Sequence, residues 1–578
     1  MRRAAVVVAA LVAALVACAA AAAASPDELA ATISAPWPDR QRADGSLPDH
    51  IAAAVSDERD PYGDAMLGYA LLAHGVRTGE DAFVRTGLRA IGHAARHPVQ
   101  SDLVVFENLA LASAYNLARS AAAASPELAA VRGDWERRLR ELRPVVIGRH
   151  GHAANWRLVE AVAWIELARS GLTSPRDGAV LADPAGALAQ AERVVNERAP
   201  RLARATKRRD PRAGTTAILS DPPFNPLAYH ALSTALLARA IDLLGPAAGE
   251  PARRTLARAL RASRAFAGPD GDLAYWGRSQ EQSWVLAVTA YADGGALAAR
   301  ALDRLEALHG SAQHGLALTP ALARDPVDGL RGLDGWVAAT PYTGWTLVGL
   351  EWLLARTGEA PAPGPLSADA DGALVLGRGA SSFATVRDGD TWFAVKRAAA
   401  GRSRLTGIYD LDARYDGGLV SLKRRAGDRW QDLSPVRPYG RLPWGTIGPS
   451  LRVRGGLARF EGRRLSAAGD GVTLRGRYRL PSGRIVRWGA LLRYEAVDCG
   501  VRMTVSTRRG DRVRQSLFFR GRPDALDDGR QRVRANRDAS VRVRRGYASG
   551  ADPSLWRARL AYAPAGDSPL RVTICEAR

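Results

Sequence analysis

Cysteine is almost missing from this chain of 578 residues: there are three, Cys18, Cys499 and Cys575. Cys18 falls in the N-terminal apolar run, and the other two stand too far apart for a CxxC metal site. A catalytic cysteine has no supporting pattern either. The chain also lacks an HExxH helix, a GxSxG elbow and a phosphate-cradling glycine loop, so zinc protease, serine hydrolase and nucleotide-binding readings have no motif to rest on. His93 and His97 have i, i+4 spacing without a carboxylate companion and read as a solvated helix face; His150 and His152 could coordinate an ion, but a loop pair is too little to make a site, and no cofactor is expected. Lysine is scarce as well, with only Lys207, Lys396 and Lys423. Beyond the N-terminus no stretch supplies the roughly eighteen uninterrupted apolar residues that a membrane span needs.

Arg2 and Arg3 precede an apolar run from Ala4 to about Ala24, which reads as an export signal over residues 1–24. Two readings of Cys18 stay open. Leu15-Val16-Ala17-Cys18 has the form of a bacterial lipobox, in which Cys18 carries a lipid anchor at the membrane; otherwise Cys18 is one more small residue of a cleaved signal and the protein is secreted freely. In an oxidising compartment Cys499 and Cys575, the two cysteines left in the mature chain, are expected to form a disulfide.

The formal charge of +22 is unevenly spread. From Pro361 to Arg578 there are 42 Lys+Arg against 21 Asp+Glu, a net of +21, whereas residues 1–360 are nearly balanced. Such a field draws polyanions, and the candidates are nucleic acid, an acidic polysaccharide or an anionic envelope polymer. Export and the absence of a nucleic-acid module argue against nucleic acid.

Residues 25–357 carry apolar residues at helical spacing in Ala65 to His74, Leu103 to Arg119, Trp156 to Ser170, Leu227 to Leu244, Ser283 to Tyr291 and Gly344 to Ala355. Loosely recurring helix pairs predict an incomplete α/α toroid. Residues 358–370 read as a Pro/Gly linker. From residue 371 to 578 the period falls to two in Ser382–Val386, Thr391–Val395, Val472–Leu474, Arg484–Trp488, Val501–Val505 and Val541–Val543, which predicts a large antiparallel β-sandwich.

Polar and aromatic residues gather where loops turn into helices. Ser220 to Asn225 leads through Pro226 into a helix whose first turn holds Tyr229 and His230, a setting with free backbone donors and a positive dipole end. The alternative is a buried tyrosine beside a capping histidine. Asn155 and Trp156 open the helix that contains Glu160, and Asn155 either faces a ligand or caps that helix. Asp270 to Trp284 holds Tyr275, Trp276, Arg278 and Glu281, which suit a carbohydrate subsite, with rings stacking on sugar faces and Arg278 forking a carboxylate; the alternative ties Arg278 to Glu281 in a packed loop. Tyr342 opens the last helix near Trp336, while Trp345 and Trp352 read as core.

With Asn155-Trp156, Asn225 to His230 and Gly277-Arg278-Ser279 at successive helix entrances, the chain resembles the toroid-plus-sandwich polysaccharide lyases, the hyaluronate and chondroitin lyases and the heparinase II/III-like enzymes. The resemblance implies β-elimination on an acidic, uronate-containing polysaccharide without a cofactor. Tyr229, His230, Asn155 and Arg278 would be catalytic, and Trp156, Asn225, Tyr275, Trp276, Glu281 and Tyr342 would bind substrate. The hyaluronate-lyase pattern puts the catalytic His several residues before the Tyr, whereas here His230 directly follows Tyr229. Neighbours on a helix point roughly 100° apart, so which of the two is the base stays open. Two rivals remain: a glycoside hydrolase using carboxylates among Asp64, Glu160, Asp272 and Glu281, and a non-catalytic envelope-binding protein that uses its basic half alone. Oligomeric state is not encoded in any feature of the chain.

Overall fold

The computed structural model describes residues 25–49, 62–121, 125–145, 153–205, 213–221, 225–311, 314–318, 339–357, 365–377, 379, 382–397, 415–433, 448–545 and 556–577. The expected signal with Cys18, the His150/His152 pair, Trp336, and residues 358–364 of the expected linker lie outside them. Twelve main helices are described: α1 Pro26–Ser34, α2 Gly63–Thr78, α3 Asp81–Arg96, α4 Val104–Ala121, α5 Pro126–Glu141, α6 Ala154–Arg169, α7 Pro184–Arg193, α8 Leu227–Leu244, α9 Glu250–Phe266, α10 Ser283–Asp293, α11 Ala296–His309 and α12 Ala339–Thr357. Pro in the first turn opens α1, α5, α7 and α9, and left-handed Gly79 and Gly294 end α2 and α10.

Even- and odd-numbered helices do different work. The even ones are apolar nearly all round and are buried nearly all round; the odd ones, such as α3 with Phe83, Leu88 and Ile91 inside and Arg85 and Arg89 outside, bury one face. In space α2, α4, α6, α8, α10 and α12 pack each on the next, and α12 packs back on α2. The ring is therefore closed, where an incomplete toroid was expected. Glycines on α12 permit the closure: a Cβ on Gly344 would lie 2.8 Å from the Leu67 nitrogen on α2, and one on Gly349 would lie 2.8 Å from the Ala287 carbonyl carbon on α10. Residues 227–247, around α8, are long and apolar enough to cross a membrane, but 78% of the apolar window is buried inside the protein, which accounts for the composition.

After one short hairpin in the helical half (β1 Ala203–Ala205, β2 Ala217–Leu219), the strands of the C-terminal half form two antiparallel sheets. A five-stranded meander holds β3 Gly372–Leu376, β4 Phe383–Asp388, β5 Thr391–Lys396, β6 Gly418–Ala426 and β7 Arg429–Asp432. A ten-stranded sheet runs in the order β14-β17-β12-β11-β10-β9-β8-β13-β16-β15, with β8 Ser450–Val453, β9 Gly456–Ala468, β10 Gly471–Arg479, β11 Ile485–Val497, β12 Gly500–Val505, β13 Arg512–Phe519, β14 Gln531–Ala535, β15 Ala539–Arg545, β16 Trp556–Tyr562 and β17 Leu570–Glu576. Cys499, in the β11–β12 turn, is disulfide-bonded to Cys575 on β17.

The five-stranded sheet is a middle layer. Along β4 and β5, Phe383, Trp392 and Ala394 join the helical core, while Ala384, Val386, Phe393 and Val395 join the core shared with the ten-stranded sheet. Strands buried on both faces read as continuous apolar runs, as Thr391-Trp392-Phe393-Ala394-Val395 does.

Charge is buried between the halves. Lys423 Nζ, on β6, binds Asp270 at 2.9 Å, Asp272 at 3.1 Å and also Asp432, and Arg304 of α11 binds Asp270 and, at 3.1 Å, Asp432. Burial works against the Lys423 charge, but the three carboxylates more than offset it and push its pKa upward. Lys423→Met would leave three buried carboxylates to Arg304 alone, and a loss of about 3–5 kcal/mol is expected from such a broken network. Denaturant midpoints of the two proteins check it.

Candidate active site

The N-terminal ends of the six ring helices gather on one side, because aromatic residues from successive helices touch there. Tyr62, just before α2, stacks on Phe106 in the first turn of α4, with ring centroids 5.2 Å apart; Phe106 meets Trp156 of α6 edge-on at 5.3 Å. Tyr229 of α8 meets Trp284 of α10 at 6.0 Å, and Trp284 meets Tyr342 of α12 at 6.3 Å. Six helix dipoles thus present their positive ends together, which favours an anionic ligand.

Tyr229 is the centre of the polar contacts. Arg278 lies over its ring, 4.2 Å from the centroid, and Ser279 Oγ donates to Tyr229 Oη at 3.3 Å. The same Arg278 pairs with the fully buried Asp221 at 2.7 Å. Burial pushes the Asp221 carboxyl up to about 6, against the opposing pull of Arg278. Asn225 Oδ1 accepts from the Asp221 amide at 3.0 Å and so fixes the loop before α8. That loop and residues 270–282 press together: the Leu227 amide donates to the Trp276 carbonyl at 3.2 Å, and a Cβ on Gly277 would stand 2.5 Å from Pro226 Cβ. Of five described non-glycine residues with positive φ, three are here: Asn225 (58°), Ser279 (60°) and Glu281 (54°). Backbone strain of this kind persists only where surrounding structure enforces it, and it concentrates at functional sites.

Asn155, second in α6, sits beside this loop, since the Ala154 amide donates to the Ser220 carbonyl at 2.7 Å. It does not cap the helix. Its side chain is 1% exposed, and neither its Nδ2 nor its Oδ1 has a hydrogen-bond partner among the described residues. An unpaired buried amide costs on the order of 1–3 kcal/mol, so a fold that keeps one sustains a real penalty.

Other expected site residues are used differently. His230 is fully buried and turned away from Tyr229: its Nδ1 accepts from the Leu219 amide at 3.2 Å and its Nε2 lies 3.3 Å from Ser263 Oγ of α9. Burial pushes its pKa down to about 4 and holds the imidazole neutral, while the Leu219 amide and Ser263 occupy its two ring nitrogens. Tyr275 and Trp276 face the β layer, not a sugar. Tyr275 Oη donates to the Phe266 carbonyl at 2.8 Å, and the Trp276 indole donates to the Asp416 carbonyl at 3.3 Å and packs on Phe383 and Tyr415. Glu281 pairs with Arg520, beyond β13, rather than with Arg278. Asn225 shapes its loop and is 6% exposed. Trp156 and Tyr342 remain at the gathered helix ends. The carboxylates considered for hydrolysis are engaged elsewhere, Asp64 with His93 at 2.8 Å, Glu160 with Arg157 at 3.5 Å, Asp272 with Lys423 and Glu281 with Arg520. Sequence reasoning missed Asp221, Ser279 and Trp284 as site residues; the last has its indole nitrogen buried without a partner among the described residues. Each was present in the segments singled out, and only the fold reveals their convergence on Tyr229.

No family model matches the chain, and no curated protein does. Among solved structures it is similar to the chondroitin AC lyase of Streptomyces coelicolor A3 in complex with chondroitin sulphate, at 12% identity over 96% of this chain and 79% of that one, with a TM-score of 0.44. It is similar to a heparinase III at 10% identity, over 95% and 83% of the two chains, with a TM-score of 0.46. A GH76A alpha-1,6-mannanase from Salegentibacter sp. HEL1_6 matches 57% of this chain and 99% of its own at 11% identity, with a TM-score of 0.35.

The buried His230 sets a pH signature. A histidine held neutral when folded binds its proton more readily when unfolded, so its contribution falls as pH drops from about 6.5 towards 4, by on the order of 3 kcal/mol. His230→Gln should remove that loss. Chemical denaturation of both proteins between these pH values should show wild type losing ground to the variant on acidification.

Proposed function

We propose that this protein is an exported polysaccharide lyase that cleaves a uronate-containing acidic polysaccharide by β-elimination, with Tyr229 as the proton-transfer residue. The observation that carries the reading is Asn155: a buried amide with both polar atoms unpartnered among the described residues, on a helix entrance bonded to the loop that leads to Tyr229. Elimination needs the charge of the uronate acid stabilised, the C5 proton removed and the leaving oxygen protonated. In this reading the Asn155 amide takes the carboxylate as it gains enolate character, helped by the converging helix ends and the Arg278 charge. The Tyr229 phenolate takes the C5 proton, the C4–C5 double bond forms as the C4–O bond breaks, and the phenol returns the proton to the leaving oxygen. Ser279 holds the phenolic oxygen, and the buried rings of Trp156, Trp284 and Tyr342 pack the gathered helix ends around it. The acidic substrate class follows from the carboxylate requirement. Export through residues 1–24, with either a lipid anchor at Cys18 or free secretion, and a β-sandwich as the accessory half belong to the same proposal. Hydrolysis is disfavoured because Asp64, Glu160, Asp272 and Glu281, the carboxylates considered for it, are each paired with a basic side chain.

A screen of uronate polysaccharides for unsaturated, ultraviolet-absorbing products tests the reaction. Tyr229→Phe keeps the ring and its contacts and removes the hydroxyl; turnover should fall by roughly 10²–10⁴ with little change in KM or folding. Full activity in this variant would remove Tyr229 from the chemistry.

Asn155→Leu separates function from stability. The isosteric apolar side chain relieves an unsatisfied buried amide, so the thermal midpoint should hold or rise while turnover drops by about 10²–10³, the usual effect of losing one stabilising donor. A parallel loss of both would make Asn155 a structural residue.

A further inference from the structure

The ten-stranded sheet has one face on the shared core and one face outward. On its outer side around β9, β10 and β11 stands Trp488, 63% exposed, the most exposed large apolar side chain among the described residues; only Val541 accompanies it in that class. The β10–β11 register sets Trp488 opposite Arg477, whose guanidinium lies 5.2 Å from the indole centroid. Two residues along β10 on the same face is Arg475, directly opposite Arg464 of β9, both exposed. Further across the sheet, Arg493, Arg502, Arg571 and Arg534 are exposed on β11, β12, β17 and β14. Glu461 answers Arg477, and Glu495 answers Arg493 at 2.7 Å. Arg464, Arg475, Arg502, Arg534 and Arg571 have no carboxylate partner among the described residues.

Two features of this face cost stability in isolation. Like charges directly opposite each other on neighbouring strands repel, as at Arg464 and Arg475. A large aromatic ring left in water forgoes the gain of burial. Both costs disappear when a chain carrying negative charge and flat apolar sugar faces lies across the sheet. We infer that this outer face is a second, non-catalytic binding surface for an anionic polysaccharide strand, with Trp488 as the stacking platform and the unpaired arginines taking its acidic groups. The inference rests on the acidic polysaccharide class proposed above. It goes beyond that class by placing polymer capture on a surface separate from Tyr229, which would raise the local concentration of chain ends or internal bonds at the ring.

Retardation in gels containing chondroitin sulfate measures the binding, with dextran as the uncharged control and duplex DNA as the competing polyanion. Trp488→Ala and the double variant Arg464→Ser/Arg475→Ser should each weaken retention by chondroitin sulfate about tenfold, as loss of a binding hot spot does. Trp488→Phe should retain most of it, dextran should not retard, and added salt should weaken binding steadily. Iodide quenching of tryptophan fluorescence in the unaltered protein should fall when polymer is added, a readout that needs no variant. Retention unchanged in both variants, or stronger retention by DNA that ignores Trp488, would overturn the inference. Trp488-dependent retention without any unsaturated product would uphold the binding face while failing the lyase reading. Turnover of an oligosaccharide too short to span both surfaces should be the same in Trp488→Ala and wild type.

Discussion

The buried ionic knot of Lys423, Arg304, Asp270, Asp272 and Asp432 is the interaction on which the rest depends. Two of its carboxylates begin the loop over residues 270–282, and the β half supplies Lys423 and Asp432. The far end of that loop is held by Glu281 on Arg520, and its middle by the Trp276 indole on the Asp416 carbonyl. Clamped at three points, the loop holds Ser279 and Glu281 in left-handed backbone and presents Arg278 and Ser279 to Tyr229. An exposed loop would relax such strain; a loop fixed by buried, mutually neutralising charges cannot. The β half is thus part of the site's scaffold through its hold on this loop.

Such a knot is a poor source of net stability, since desolvation of each charge offsets much of the attraction. Its directional demand is the useful part. Lys423 satisfies three carboxylates from two elements of different halves, and any shift of the middle sheet against α11 would leave a charge buried without its counterpart. Burial raises the carboxyl pKa of Glu281 against the pull of Arg520, whereas the neighbouring cations overcome burial at Asp432 and hold it well below the usual range. Of the three lysines, the two in described residues are both buried at this boundary, Lys396 over the rings of Trp276 and Phe383. Scarcity of lysine in this chain therefore does not mark it as a surface residue; arginine holds the outside.

Much of the fold was legible because its strongest sequence signals coincide with its deepest burial. The six helical stretches that stand out by apolar spacing are the six ring helices, each buried nearly all round, whereas outer helices such as α3 and α9 carry charged residues on their outward face and announce themselves less. The change from helical to alternating period marks the β half correctly. Which strands share a sheet was hidden, since β4 and β5 are buried on both faces and alternation cannot say which face meets helices and which meets strands. Closure of the ring was hidden too, because it depends on Gly344 and Gly349 letting backbones meet, and a glycine in a helix reads locally as a weakness.

The sequence segments singled out at helix entrances do come together, but what each residue contacts was not legible in them. Loop-to-helix junctions pointed to Asn155, Tyr229 and Arg278; Asn155 and Tyr229 lie in the first turns of α6 and α8, and Arg278 reaches Tyr229 from the loop before α10. Tyr275, Trp276 and Glu281 looked like a sugar subsite because aromatic and acidic residues beside a turn are common to binding loops and to interdomain packing. What decides between the two is a partner 140 residues away for Trp276 and 239 away for Glu281, beyond any local pattern. His230 and Tyr229 differ for a reason that helix geometry alone supplies. One residue of rotation, about 100°, sends Tyr229 towards Arg278 and Ser279 and sends His230 into the seam between α8 and α9, where a charged imidazole would have no solvent and no acid to meet it. In the proposed reaction the tyrosine, flanked by a hydroxyl donor and a guanidinium, takes and returns the proton itself, so the proposal does not depend on the order of His and Tyr and leaves the histidine to the fold.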